Sequence, residues 1–251
     1  MTDSPAIDEL EITPRLQRFL DTLGLTTLAD IAQIAELRVP KVIAEELELL
    51  LADHEIAYPG RFVVIEPPVT KATGTVGERC AMIEAWLQAR HPDELATFRP
   101  PATDPTIAAV EAALGRTLPD DYKQFLRLHD GQTYGPMVWT CSLFETQQIA
   151  SAYKQLQSLT SDEDEEFDDS EIDAGVRAVR CSPGWIPIGR SARGRDYLCI
   201  DFDPAEGGCE GQIIGMSVDF DDRERIADSF TELLSVFFEQ LQTGEIDLGD
   251  D

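Results

Sequence analysis

Two places in the chain hold side chains whose types and spacing could do chemistry. In "LPDDYKQFLRLHDGQ", residues 118 to 132, His129 and Asp130 are adjacent and could serve as a base with an orienting carboxylate. In "DYLCIDFD", Asp201 and Asp203 project to the same side of a strand and could hold a divalent ion. Each pair also has a structural reading. Tyr122, Phe125, Leu126 and His129 share one face of a helix that Pro119 can start and Gly131 can stop, with the histidine at the negative end of the helix dipole. Asp203-Pro204 opens the turn "DPAEGG". The other two histidines, His54 and His91, sit in ordinary helix or turn contexts, and the chain carries no Gly-rich phosphate loop, nucleophile elbow or HExxH pattern. The expectation is a protein without catalytic residues, in which these four side chains support the fold.

The elements that must position them begin with short helices. Leu16, Phe19, Leu20 and Leu23 form one apolar face before Gly24, and Leu28, Ile31 and Ile34 form another after a Thr27 cap. A third helix opens at Pro40, with Val42, Ile43, Leu47, Leu50 and Leu51 inward, and "RFVVI" at 61 to 65 has strand composition. The stretch 66–77, "EPPVTKATGTVG", is rich in Pro, Gly and Thr and reads as a linker between a small helical segment, 1–65, and a larger domain, 78–251. In that domain Ile83, Trp86, Leu87 and Arg90 share a helical face, Asp104-Pro105 caps a helix ended by Gly115, and 118 to 131 adds the second arm of a helical hairpin. A helix fits 146 to 159. "WIPIG", "DYLCIDFD" and "GQIIGMSV" then read as strands of an antiparallel meander, and Ile226, Phe230, Leu233, Leu234, Phe237 and Leu241 make an amphipathic helix to lie across the sheet. The fold class is α+β.

Composition bounds the partners. At 251 residues the chain can bury a substantial core, but its 20 basic and 48 acidic side chains leave a net charge of −28. Such a surface repels nucleic acid and anionic membrane and suits a cationic protein, although strong acidity also serves solubility. The first 70 residues, with helix, Gly turn and helix, faintly match DNA-touching modules, yet five basic against thirteen acidic residues argue against that use. Cys80, Cys141, Cys181, Cys199 and Cys209 form an odd set without CxxC or zinc spacing, so they read as reduced thiols. No metal or other cofactor is expected. "MTDSPAIDELEITPR" lacks the features of a signal peptide and no apolar run could span a bilayer, which leads to the expectation of a cytoplasmic protein.

Several separated landmarks, in order, carry a resemblance. "IAAVEAALGRTLPDDYKQFLRLHDGQ", "WIPIG", "RDYLCIDFD", "GQII" and "IADSFTELLSVFFEQL" resemble the SMI1/KNR4 family of the SUKH superfamily over residues 78–246. The matching positions are Leu118, Pro119, Asp130, Gly131, Trp185, Pro187, Gly189, Asp196, Tyr197, Asp201 and Gly211. Arg195 stands where many members have glycine, and Gly194 beside it can take over the turn. The resemblance implies an α+β fold and a protein that binds proteins. Bacterial relatives are largely immunity proteins that block toxins, while fungal relatives are scaffolds regulating cell-wall assembly and signalling. The compact chain favours immunity against a toxin domain as the first reading, with a regulatory scaffold as the alternative.

Two features could form the binding surface. Trp139, in "YGPMVWTC", is the better candidate for an exposed anchor, whereas Trp185 belongs in the core beneath the final helix. The run "SDEDEEFDDSEID", 161–173, has nine acidic residues in thirteen and no core-facing pattern, so it reads as a loop. Its Asp162, Glu163, Asp164, Glu165, Glu166, Asp168 and Asp169 could steer a basic partner, such as a toxin nuclease, into contact.

Overall fold

The computed structural model describes residues 5–7, 10, 12–65, 69–138, 140–158, 172–246 and 248. It divides into two compact units, Met1–Thr70 with Gln240–Asp251, and Lys71–Glu239.

The first unit is built from short elements that share one apolar core. Helix α1 (Pro14–Thr22) starts at Thr13, whose hydroxyl accepts the Leu16 N–H. Helix α2 (Leu28–Ala32) starts with a reciprocal cap in which Thr27 and Asp30 satisfy each other's backbone N–H groups. Strand β1 (Glu36–Val39) follows at once, then helix α3 (Lys41–Asp53) after Pro40, and strand β2 (Arg61–Val64). Strands β1 and β2 pair in parallel, Glu36 opposite Arg61 and Val39 opposite Val64. The segment is therefore not purely helical. "ELRV" alternates exposed and buried residues, a period of two that is easily lost between two helices because it lasts four residues. Leu16, Leu20, Leu28, Ile31, Leu37, Val39 and Leu47 fill the core. Arg15 closes it at the side, pairing with Glu46 and donating to the Gly244 carbonyl at 2.7 Å.

The second unit opens on helix α4 (Val76–Arg90), capped by the Thr75–Glu78 box. A single turn, α5 (Pro92–Leu95), follows, then α6 (Asp104–Leu114), α7 (Asp120–Leu126), strand β3 (Cys141–Leu143) and α8 (Thr146–Ser158). The cap of α6 is Thr103 rather than Asp104, since a hydroxyl one residue earlier reaches the Thr106 N–H. Strands β4 (Trp185–Ser191), β5 (Asp196–Asp201), β6 (Gln212–Ser217) and β7 (Arg223–Ala227) complete an antiparallel sheet in the order β3-β4-β5-β6-β7, and α9 (Phe230–Thr243) closes the chain. The fold is α+β.

Every residue of β6 is buried and β5 is buried from Tyr197 onward, so both faces of the central strands are covered. On one face Trp185, Tyr197, Cys199, Ile214 and Met216 pack with Leu156 of α8 and Val176. This corrects the expected place of Trp185. The pleat turns it toward α8, while Ile186 and Ile188 of the same strand take the other face. Phe230, at the start of α9, packs its ring on Tyr122 and Phe125 of α7, with centroids 4.8 and 4.9 Å apart.

Candidate functional site

His129 and Asp130 do not act as a pair. Helix α7 ends at Leu126, three residues earlier than the apolar spacing suggests, because the Leu126 carbonyl accepts the Ala102 N–H at 2.8 Å rather than continuing the helix. His129 follows in a turn, its backbone N–H on the Phe125 carbonyl and its Nε2 2.8 Å from Glu84 Oε1 on α4. The Asp130 carboxylate points elsewhere. It accepts the backbone N–H of Thr146 at 2.7 Å and the Thr146 hydroxyl at 3.1 Å, capping the start of α8. Gly131 then needs its left-handed φ of +72°, and a Cβ there would lie 2.3 Å from the Phe144 carbonyl oxygen.

Asp201 and Asp203 also serve separate partners. Asp201 is fully buried, accepting from the Asp203 N–H at 2.8 Å and from Gln212 Nε2 at 2.8 Å. Burial pushes its carboxyl above the ordinary aspartate value. Asp203 accepts from the Ser182 hydroxyl at 2.7 Å and pairs with Arg177 at 3.0 Å. Gln212, equally buried, donates also to the Gly175 carbonyl and accepts the Cys209 N–H, so one amide ties three loop segments together. Among the described residues no three His, Cys, Asp or Glu converge as a metal site. The cysteines form no disulfide, and burial raises the Cys80 and Cys141 thiols to about 12 and Cys181 to about 11, far from a reactive thiolate. A cavity of about 10 Å³ between Cys80, Glu84, Phe125, His129 and Phe237 has room for roughly one water.

The remaining landmarks sit at junctions. Leu118 is buried and Pro119 is the residue before α7. Gly189 pairs with Leu143 where β4 meets β3, and a Cβ there would lie 2.8 Å from the Ser142 carbonyl oxygen. Asp196 starts β5, its N–H on the Ser191 hydroxyl, and Gly194 takes φ +73° in the turn before it. Tyr197 is buried, and Gly211, at φ +90°, returns its N–H to the Asp201 carbonyl at 2.7 Å. These residues shape a fold. A family-wide comparison agrees: the SMI1 / KNR4 family (SUKH-1) matches residues 101–236, more than half of the chain.

The chain belongs to the SMI1/KNR4 family.

Three SMI1/KNR4 relatives are similar to it. The cell wall biosynthesis/cell cycle regulator smi1 of Schizosaccharomyces pombe is 25% identical over 186 residues, 68% of this chain and 37% of that protein. The glucan synthesis regulatory protein of Neurospora crassa is 23% identical over 200 residues, 64% of this chain and 37% of the relative. The cell wall assembly regulator SMI1 of Saccharomyces cerevisiae is 27% identical over 207 residues, 67% and 41% of the two chains. The matches thus span about two fifths of these longer proteins.

Of the residues read as a binding surface, Trp139 and the acidic Asp162, Glu163, Asp164, Glu165, Glu166, Asp168 and Asp169 lie outside the described residues. The last two positions of the acidic run are described, and they are held. Ile172 bridges to Arg223, and Asp173 gives its N–H to the Arg223 carbonyl and accepts the Arg225 N–H, so this end lies against the outer edge of β7. Sequence reading missed Arg223 and Gln212, two of the large polar side chains buried in this unit among the described residues. A buried arginine in "DDRER" carries no signal, because its sequence neighbours are all charged, the pattern of an exposed turn. No described helix is long and apolar enough to cross a membrane.

Proposed function

We propose that this chain is a non-enzymatic protein-binding module that takes part in regulating cell-wall assembly through an endogenous protein partner. The observation that carries the reading is the family membership together with three relatives named as regulators of cell-wall synthesis or assembly. The use of His129, Asp130, Asp201 and Asp203 as structural ties is consistent with it. A net charge of −28 supports a cationic partner surface. The same charge supports the second reading, an immunity protein masking a basic toxin domain.

One experiment separates the two. The gene is deleted in its own host, and the cells are challenged with wall-degrading enzymes and, separately, with toxin-producing competitors. Altered wall resistance with unchanged survival of competition supports regulation; loss of survival beside competitors, with a normal wall, supports immunity. Normal behaviour in both tests removes both readings.

A further inference from the structure

At 70% exposure Phe220 is the most exposed large apolar side chain among the described residues. It stands at the tip of the β6–β7 hairpin, in "SVDFDDR". An isolated apolar residue on a surface is ordinary, but this one is held in a way that a casual surface residue does not need. Arg223, only 1% exposed, lies beneath the tip. Its NH1 donates to the carbonyls of Ser217 at 3.1 Å, Phe220 at 3.0 Å and Asp222 at 2.6 Å, and its NH2 to the Arg180 carbonyl at 2.8 Å. One guanidinium therefore gathers the carbonyls on both sides of the tip and ties them to the neighbouring segment.

The outer side of the tip is fastened as well. Val218 donates its N–H to the Arg195 carbonyl at 2.9 Å, and the Arg195 guanidinium grips both oxygens of the Asp219 carboxylate. A phenyl ring mounted this way loses little freedom when something covers it, which is the condition under which an aromatic side chain contributes most to binding. Asp219 is exposed and Asp221 and Asp222 half-buried around the ring. Asp219 is already paired with Arg195, but the acidic residues around this one apolar ring, on a chain of charge −28, disfavour anionic lipid and nucleic acid as the surface that covers it.

We infer that the β6–β7 tip is a protein-docking point, with Phe220 entering an apolar pocket of the partner and Asp221 and Asp222 meeting lysines or arginines at its rim. This inference rests on the protein-binding reading above and names the surface that performs it. The buried Arg223 is a positioning residue, since it touches only its own chain.

The test uses the full chain in its own cells, with the photoreactive p-benzoylphenylalanine in place of Phe220 and, separately, in place of Tyr134, another exposed aromatic at 61%. The proteins cross-linked are identified, purified and titrated against the unmodified chain. The expected result is a cross-link from position 220. With that partner, Phe220→Ser should weaken binding about tenfold or more, chiefly by faster release. Phe220→Tyr should retain binding, and Asp221→Lys should slow association in low salt more than in high salt. Circular dichroism of all three should match the unmodified chain. A partner that binds Phe220→Ser as tightly as the unmodified chain, or a cross-link at 220 to lipid alone, overturns the docking point while leaving protein binding intact. If neither probe captures a protein and none co-purifies, the protein-binding reading itself falls.

Discussion

Replacing Asp130 by alanine removes both acceptors that hold the first residue of α8, the backbone N–H and the hydroxyl of Thr146. The expected loss is about 1–2 kcal/mol, the usual worth of a helix cap. His129→Ala loses the contact to a Glu84 carboxylate that is 41% exposed and the tilted ring contacts with Phe98 and Phe125, and should cost about 1 kcal/mol. Urea unfolding of the two variants tests the assignment, and a histidine variant less stable than the aspartate variant would contradict it. Asp201 adds a dependence on pH. Burial raises its folded pKa above the ordinary aspartate value, 3.8, so its contribution to stability is full below that value and is lost as pH rises through the raised folded value. Asp201→Asn leaves a buried amide facing donors that the carboxylate satisfied, for an expected loss of about 1–3 kcal/mol. That loss should grow as pH falls from 7 toward 4, because only the native residue gains by protonation. Unfolding curves across this range, with a difference that shrinks in acid, would show that the carboxyl is not raised.

At the scale of elements, two left-handed glycines that follow helices separate strain from collision. Gly115 ends α6 at φ +64° with open space where a Cβ would go, whereas a Cβ added to Gly131, at φ +72°, would lie 2.3 Å from the Phe144 carbonyl oxygen. Gly115→Ala should therefore cost about 1 kcal/mol, the left-handed penalty alone. Gly131→Ala should cost roughly 3 kcal/mol or more, since the segment must also part from β3 and α8. Equal losses by thermal melting would mean that the close approach of residues 131 and 144 does not bear on stability. The same comparison explains why "HDG" was legible as a stop while the true end of α7 was not. Glycine announces a left-handed residue, but the capture of the Leu126 carbonyl by Ala102 joins segments far apart in sequence.

For the whole molecule, the sheet and its covering helices form a unit with a core of its own, which predicts that a chain reduced to residues 71–239 unfolds in one cooperative transition. Differential scanning calorimetry giving no transition would contradict this. Charge is the other property of the whole. If −28 serves capture, association with a purified partner should slow as salt rises, while dissociation changes little. Joint neutralisation of Asp162, Glu163, Asp164, Glu165 and Glu166 should slow association at low salt. An unchanged rate would remove the acidic run from the mechanism and leave solubility as its role.

What the amino-acid sequence determined by itself was everything set by short-range chemistry. Helix starts at Thr27 and Pro40, the turns at Gly115 and Gly194, the strands around "WIPIG" and "DYLCID", and the family landmarks were all readable, because caps, glycine and apolar periodicity act within a few residues. Only the tertiary structure decided which face Trp185 takes, where α7 stops, that "ELRV" pairs with "RFVV", and what the polar side chains do. His129 finds Glu84 forty-five positions away, Asp130 finds Thr146, and Arg223 finds Arg180. A hydrogen bond between distant segments depends on how the sheet and helices bring them together, and no local pattern of residues records that distance.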